Sequence, residues 1–202
     1  MGVNIVAAEN NHIALSDYTL HMRMYNYLSN KYPEVNRALH AGELTLGIVR
    51  PRDLNFHINQ AVQIAKAQRI GHGVDIPYET QSSVLLENLK NNDVAIEINL
   101  TSNQFILGVE KGAHPYQIYA AYGVPLVIST DDSGVSRNNL SNEFMLLASR
   151  YKPSYTRLKS YVYNSIKYSF LSPEDKKKQL AILDNEFMAF ELNISKLMSK
   201  MD

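Results

Sequence analysis

The chain alternates between short apolar runs and longer stretches whose apolar positions recur every three or four residues. Residues 3–8 (VNIVAA), 35–40 (VNRALH), 69–72 (RIGH), 94–100 (VAIEINL) and 125–130 (PLVIST) read as strands, the first a buried one directly after Met-Gly. Between them, 16–33 reads as a helix with Ser16 or Asp17 at its start and Pro33 as its stop. Leu54, Ile58, Val62 and Ala65 mark a second helix over 53–67. Val84, Leu85, Leu86 and Leu89 mark a third over 79–90, and 114–123 a short fourth ending in Gly123. From 138 onward only helices are expected, over 140–150, 154–168 and 173–199. The last has Ser172 as cap, Pro173 just inside and Asp175 three residues after the cap. Its stripe of Leu180, Leu183, Phe187, Phe190, Ile194 and Leu197 predicts packing against the core, with an oligomer interface as the alternative.

Five strands separated by helices imply parallel βα units, so the fold class is α/β. An open doubly wound sheet and part of a (β/α)8 barrel both satisfy the pattern. A doubly wound nucleotide binder needs a glycine-rich turn after its first strand, and VNIVAAENNH has none. The chain therefore reads as one domain over 1–202, with βα units over 1–137 and a helical tail over 138–202. Its 202 residues suit a single sizeable core. Lys and Arg together number 20, as do Asp and Glu, so no broad field points to nucleic acid or an anionic membrane. There is no Cys, which excludes disulfides, thiolate-bound metals and thiol nucleophiles. No apolar run approaches the roughly 20 residues of a membrane span, and no basic-then-apolar leader precedes Val3. A cytoplasmic protein that contacts neither membrane nor nucleic acid is the expectation.

Chemistry in parallel α/β folds sits where strands end. Here the strands run into His40-Ala41-Gly42-Glu43, Gly71-His72-Gly73, Asn99-Leu100-Thr101-Ser102-Asn103 and Ser129-Thr130-Asp131-Asp132. Imidazole and carboxylate are good ligands for a divalent metal such as zinc, which brings the pKa of a bound water to about 7. A neighbouring Glu or His can then move protons. Metal-assisted hydrolysis is the chemistry such a rim suits.

His-Ala-Gly-Glu at 40–43, Arg-Ile-Gly-His-Gly at 69–73, Glu-Ile-Asn-Leu-Thr-Ser-Asn at 97–103 and Ser-Thr-Asp-Asp at 129–132 stand in the order and spacing of the adenosine deaminase family. The chain resembles that family over nearly its whole length, including Val-Asn-Ile-Val at 3–6 and Tyr-Ser-Phe-Leu at 168–171. The resemblance implies a Zn2+ enzyme that deaminates a 6-aminopurine nucleoside hydrolytically, as adenosine to inosine and ammonia. By that resemblance His40 and Asp131 are zinc ligands and Glu43 is the acid that protonates purine N1. His72 resembles the histidine that orients and deprotonates the hydrolytic water. Asp132 resembles the group that hydrogen-bonds purine N7, and Gly42 belongs with it among the substrate contacts. The segment around Ala8 and Glu9 resembles one that touches the purine. Adenine or a modified adenine nucleoside is the alternative substrate, and an inactive chain kept for binding or assembly is the alternative of another class.

The family also has a zinc-binding His-x-His pair at the end of its first barrel strand. The six His here, at 12, 21, 40, 57, 72 and 114, include no such pair. Counting back from the final motif, the five strands correspond to strands four to eight of the barrel. The expectation is the C-terminal part of a deaminase, through truncation, a misplaced start or a split gene. Two open sheet edges would then invite an N-terminal segment or a second copy. His114 before Pro115 reads as a structural cap, while His12, His21 and His57 are given no metal role. Asn103 reads equally as a pocket residue or a backbone cap.

Overall fold

The computed structural model describes residues 1–200; Met201 and Asp202, the last of the expected helical tail, lie outside the described residues. Five parallel strands form one sheet in the order of the chain: β1 (Gly2–Val3), β2 (Asn36–Ala41), β3 (Arg69–His72), β4 (Ala95–Ile98) and β5 (Leu126–Ile128). Each crossover carries helix: α1 (His12–Ser16) and α2 (Tyr18–Lys31), then α3 (His57–Gln63), α4 (Ser82–Asn91), and α5 (Leu100–Leu107) with α6 (Tyr116–Tyr122). After β5 come α7 (Ser133–Ser136), α8 (Leu140–Tyr151), α9 (Tyr155–Lys167) and α10 (Pro173–Met198). A sequential, all-parallel sheet with helical crossovers is the barrel's wall, and it stays open because β1 pairs only with β2 and β5 only with β4 among the described residues.

Register explains which residues reach the core and which reach the inner face. Leu39, Ile70, Ile96 and Leu126 pair across four strands as one buried row. They pack with Ile58, Ala61, Leu86, Leu89 and Tyr119 from the helices. One residue on, His40, Gly71, Glu97 and Val127 form the row on the opposite face, as the two-residue strand period requires. Glu97 is paired there with Arg69, whose guanidinium lies 4.7 Å from the ring of Phe170.

The helices α1 and α7 were not expected from the sequence, and three further differences each have a physical reason. The run 3–8 is not a buried strand. Only Gly2 and Val3 join the sheet, and Val6 is exposed. The Asn4 amide oxygen accepts the backbone N–H of Ile5 and of His40, so it intercepts the ladder and turns the chain away. The run 94–100 stops as a strand at Ile98, and α5 begins at Leu100 because the buried Glu143 carboxylate accepts the N–H groups of Leu100 and Thr101. The stripe on α10 does not enter the core. Leu180, Leu183 and Phe187 are half-buried, with Phe187 stacked on Tyr163 at 5.5 Å. Phe190, Ile194 and Leu197 are exposed. At 1.5 Å per residue the 26-residue α10 is about twice as long as the 13-residue α9 it lies on; Glu191 meets Tyr155 and Lys159 in the first turns of α9, and the turns after it run on past that helix. The expected Ser172 cap is present, accepting from the N–H of Asp175.

Candidate active site

The strand ends converge as register dictates. His40 lies on the inner face of β2, His72 closes β3 and Asp131 follows β5; donor atoms of the three lie within 4.8 Å of one another. The His40 and His72 rings are 4.8 Å apart between centroids. His72 Nε2 is 3.8 Å from Asp131 Oδ2 and is buried without a hydrogen-bond partner. Both His72 (φ 72°) and Asp131 (φ 53°) hold left-handed backbone, which non-glycine residues adopt at a cost of order 1 kcal/mol. The positions are over-determined by their surroundings. Burial, then the neighbouring His40, holds the His72 ring low, at about 4.

Glu43 stands beside them on a turn built for it. The Glu9 carboxylate accepts the N–H of Gly42 at 2.8 Å and of Glu43 at 2.7 Å, and His57 Nδ1 lies 2.5 Å from it. Gly42 has φ +77°, and a Cβ there would fall 2.2 Å from Asp75 Oδ1 and 2.9 Å from Ile58 Cγ1, so only glycine fits. Thus Gly42 shapes the turn. Glu43 Oε1 is buried without a hydrogen-bond partner, 3.4 Å from His72 Nδ1. Burial first, then the charges of Asp131, Glu9 and Asp132, push its carboxyl up to about 8.

Asp132 caps α7 only through its backbone, whose carbonyl accepts from the N–H of Val135 and Ser136, leaving the carboxylate free. It lines a cavity of about 530 Å³ together with Ala8, Glu9, His40, Glu43 and Asp131. All six residues singled out from the sequence are therefore brought to one place, five on the cavity wall or its metal cluster and Gly42 in the turn behind.

The donor set fits a divalent metal. The His40 imidazole and the Asp131 carboxylate suit zinc, and His72 Nε2, buried without a partner, stands beside Asp131. His40 is oriented for such a role: Asn4 Oδ1 lies 3.1 Å from its Nδ1, as an outer partner that leaves Nε2 inward. Bound there, a metal would polarise a water for hydrolysis.

Several residues of the site carry no motif in the sequence. Asp75 and Glu143 sit singly in ordinary runs and are revealed by their burial, and the role of Asn4 is revealed by its hydrogen bond to His40. His57 takes no metal position but is buried against Glu9. Asn103 caps no backbone; its amide nitrogen lies 3.0 Å from His72 Nδ1. His114 has both expected and unexpected contacts, since Nδ1 accepts the N–H of Tyr116 and Nε2 meets Asn103 Oδ1 at 3.1 Å.

A parallel βα sheet that gathers imidazole and carboxylate donors at its carboxyl end is part of the wall of a (β/α) barrel with a candidate metal site. The chain belongs to the adenosine deaminase family, whose model matches residues 2–185. An adenosine deaminase of Enterococcus faecalis is 34% identical over 152 residues, 74% of this chain and 41% of that protein. This chain thus spans about two fifths of the length of the curated relatives it matches. An amidohydrolase from Burkholderia ambifaria, solved with bound Zn, superposes with a TM-score of 0.76 at 18% identity, covering 95% of this chain and 50% of that one. The N6-methyl-AMP deaminase of Arabidopsis thaliana superposes with a TM-score of 0.62 at 26% identity, over 78% of this chain and 43% of that one. No described helix is long and apolar enough to cross a membrane.

Proposed function

We propose that this chain carries the catalytic half of a zinc-dependent deaminase site for 6-aminopurine nucleosides, the reaction being adenosine plus water to inosine plus ammonia. The observation that carries the proposal is Glu43: a buried carboxyl pushed up to about 8, beside His72 and on the wall of the cavity that holds the donor cluster. A neutral acid in that place supplies a proton to ring N1 as water adds at C6. His40 and Asp131 would hold the metal, which would supply an activated water. His72 orients that water, and Asp132, free at the cavity wall, meets the purine ring edge. The second carboxylate therefore binds while the first moves a proton.

A catalytic zinc site normally has three protein ligands besides its water. His40 and Asp131 are two, and the family's His-x-His pair is not in this sequence. The expectation is weak zinc binding and little turnover by the 202-residue chain alone. Both should rise when a His-x-His-bearing segment of the family is fused ahead of Met1. Elemental analysis gives the zinc content, and absorbance follows adenosine, adenine and N6-methyl-AMP. Stoichiometric zinc and rapid turnover by the chain alone would overturn the need for outside ligands. A fused protein with stoichiometric zinc that converts none of the three would overturn the deaminase reading.

A further inference from the structure

The hydrogen bonds around the two histidines of the cluster have a direction, because each chain of contacts begins at a backbone N–H that can only donate. Tyr116 N–H points at His114 Nδ1, 3.1 Å away, so that nitrogen bears the lone pair and the proton is on Nε2. His114 Nε2–H then donates to Asn103 Oδ1 at 3.1 Å, which fixes which end of that amide is oxygen. The Asn103 amide nitrogen is left to donate to His72 Nδ1 at 3.0 Å. Flipping Asn103 would set its NH2 against the Nε2–H of His114, and the other tautomer of His114 would set Nδ1–H against the N–H of Tyr116. On the other side, Asn4 Oδ1 accepts the backbone N–H of His40 at 3.0 Å and of Ile5 at 2.7 Å, so it faces His40 Nδ1 as an acceptor too.

We infer that the two histidines are locked in opposite tautomers: His40 as Nδ1–H, offering an Nε2 lone pair, and His72 as Nε2–H, offering a proton. Asn103 and His114 are then positioning residues that act through His72. The other groups around His72 agree. Asn99 Nδ2, at 3.2 Å, is a second donor to the same Nδ1. Asp131 Oδ2, 3.8 Å from Nε2, lies on the proton-bearing side. Glu43 Oε1 is more distant from Nδ1, at 3.4 Å, and makes no hydrogen bond to it. Three donor atoms in one neighbourhood thus divide into unlike parts. His40 and Asp131 can accept a cation, whereas neutral His72 presents a hydrogen to the same space and meets a water oxygen as a donor. On the deaminase reading, on which this consequence rests, His72 fixes the water by donating to it and does not take its proton through Nε2.

The test is a long-range proton–nitrogen NMR spectrum of the full chain with labelled imidazoles, which distinguishes the two tautomers directly. His72 and His114 should appear as Nε2–H and His40 as Nδ1–H. Asn103→Asp replaces the donor by an acceptor. It should convert His72 to Nδ1–H while His114, still facing Tyr116 N–H, stays as Nε2–H. Added zinc should move the His40 Nε2 resonance and leave the proton on His72 Nε2. His72 found as Nδ1–H in the unsubstituted chain overturns the inference, and so does zinc coordination by His72 Nε2. The first spectrum decides the matter even if the Asp variant does not fold. None of these readouts uses turnover, so failure of the deaminase reading would leave them intact, and reversed tautomers in an active protein would sink this inference alone.

Discussion

Glu9 Oε1 and His57 Nδ1 stand 2.5 Å apart with both side chains almost fully buried, and the same carboxylate holds the two N–H groups of the turn that carries Glu43. Three polar groups share one acceptor, and His57, Gly42 N–H and Glu43 N–H would be orphaned together by its loss. Burial opposes this charge, but His57 and the two backbone N–H groups outweigh it and hold the Glu9 carboxyl below its ordinary value.

Glu9→Ala should therefore lower stability by about 3 kcal/mol, the range for breaking a buried pair by removing one member. Glu9→Gln keeps one good acceptor and should cost about half as much. Urea unfolding of both variants checks this. Equal costs would mean that the methylenes matter and the carboxylate does not.

Gly42, just after β2, and Gly71, in β3, make a matched pair. Gly42→Ala puts a methyl 2.2 Å from Asp75 Oδ1 at φ +77°. The cost should be about 2 kcal/mol or more, with the Glu43 turn displaced. At Gly71 a Cβ would meet Glu97 Oε2 and His40 Cα at 3.7 Å, ordinary contact distances. Gly71→Ala should change the melting temperature little. Thermal unfolding of the two variants side by side tests the contrast.

Glu79 supplies a pH-dependent term. Its Oε1 accepts the N–H of Ile58 at 2.5 Å and of Asn59 at 3.1 Å, at the start of α3, while Oε2 is buried without a partner. Burial pushes this carboxyl from 4.5 up to about 7. The folded state then holds a proton that the unfolded chain releases, so the stabilisation is complete below about pH 4.5. It falls as pH rises and is lost above about 7. Glu79→Gln stays neutral and keeps the Oε1 acceptor. It should be more stable than the parent at pH 8 by on the order of 2 kcal/mol, with the gap closing toward pH 4.5. A gap independent of pH in thermal melts would refute this assignment.

Glu143 anchors the other side of the site. Its carboxylate accepts Leu100 N–H at 2.9 Å and Thr101 N–H at 3.3 Å, and Asn138 also donates to it. Glu143→Ala removes the cap of α5 and leaves buried N–H groups, at about 1–2 kcal/mol. Because α5 carries Asn103, amide exchange should quicken at Leu100 and Thr101, and the His72 ring resonances should shift. Exchange unchanged at those two amides would show that the cap is dispensable.

Much of this was legible in residue order. The strands at 35–40, 69–72 and 125–130 lie within one or two residues of β2, β3 and β5. Parallel sheets gather polar groups at their strand ends, so the candidates His40, Glu43, His72, Asp131 and Asp132, which the structure brings together, could be picked out before any coordinates. What was hidden depends on partners distant in the chain. The β-rich composition of 3–8 says nothing of the Asn4 oxygen that diverts it. Thr101, Ser102 and Asn103 hide the start of α5 until Glu143, some 40 residues later, arrives to cap it. The apolar stripe of α10 predicts a covering, and whether one exists is set by the length of α9.

The strictly sequential strand order carries a consequence for how such a fold tolerates division. Every pairing joins neighbours in the chain, from β1–β2 to β4–β5, so each strand is added to the rim of those already formed. Nothing has to be threaded between strands that already pair. A wall of this kind can be lengthened or divided between units with its internal registers unaltered, because each register is written in one adjacent pair. Modularity of the scaffold and indivisibility of the site are then separate properties. The His40–His72–Asp131 cluster draws on the paired strands β2 and β3 and on the end of β5, so a cut that spares every pairing within β2 to β5 spares the cluster, and a cut between any of those strands divides it.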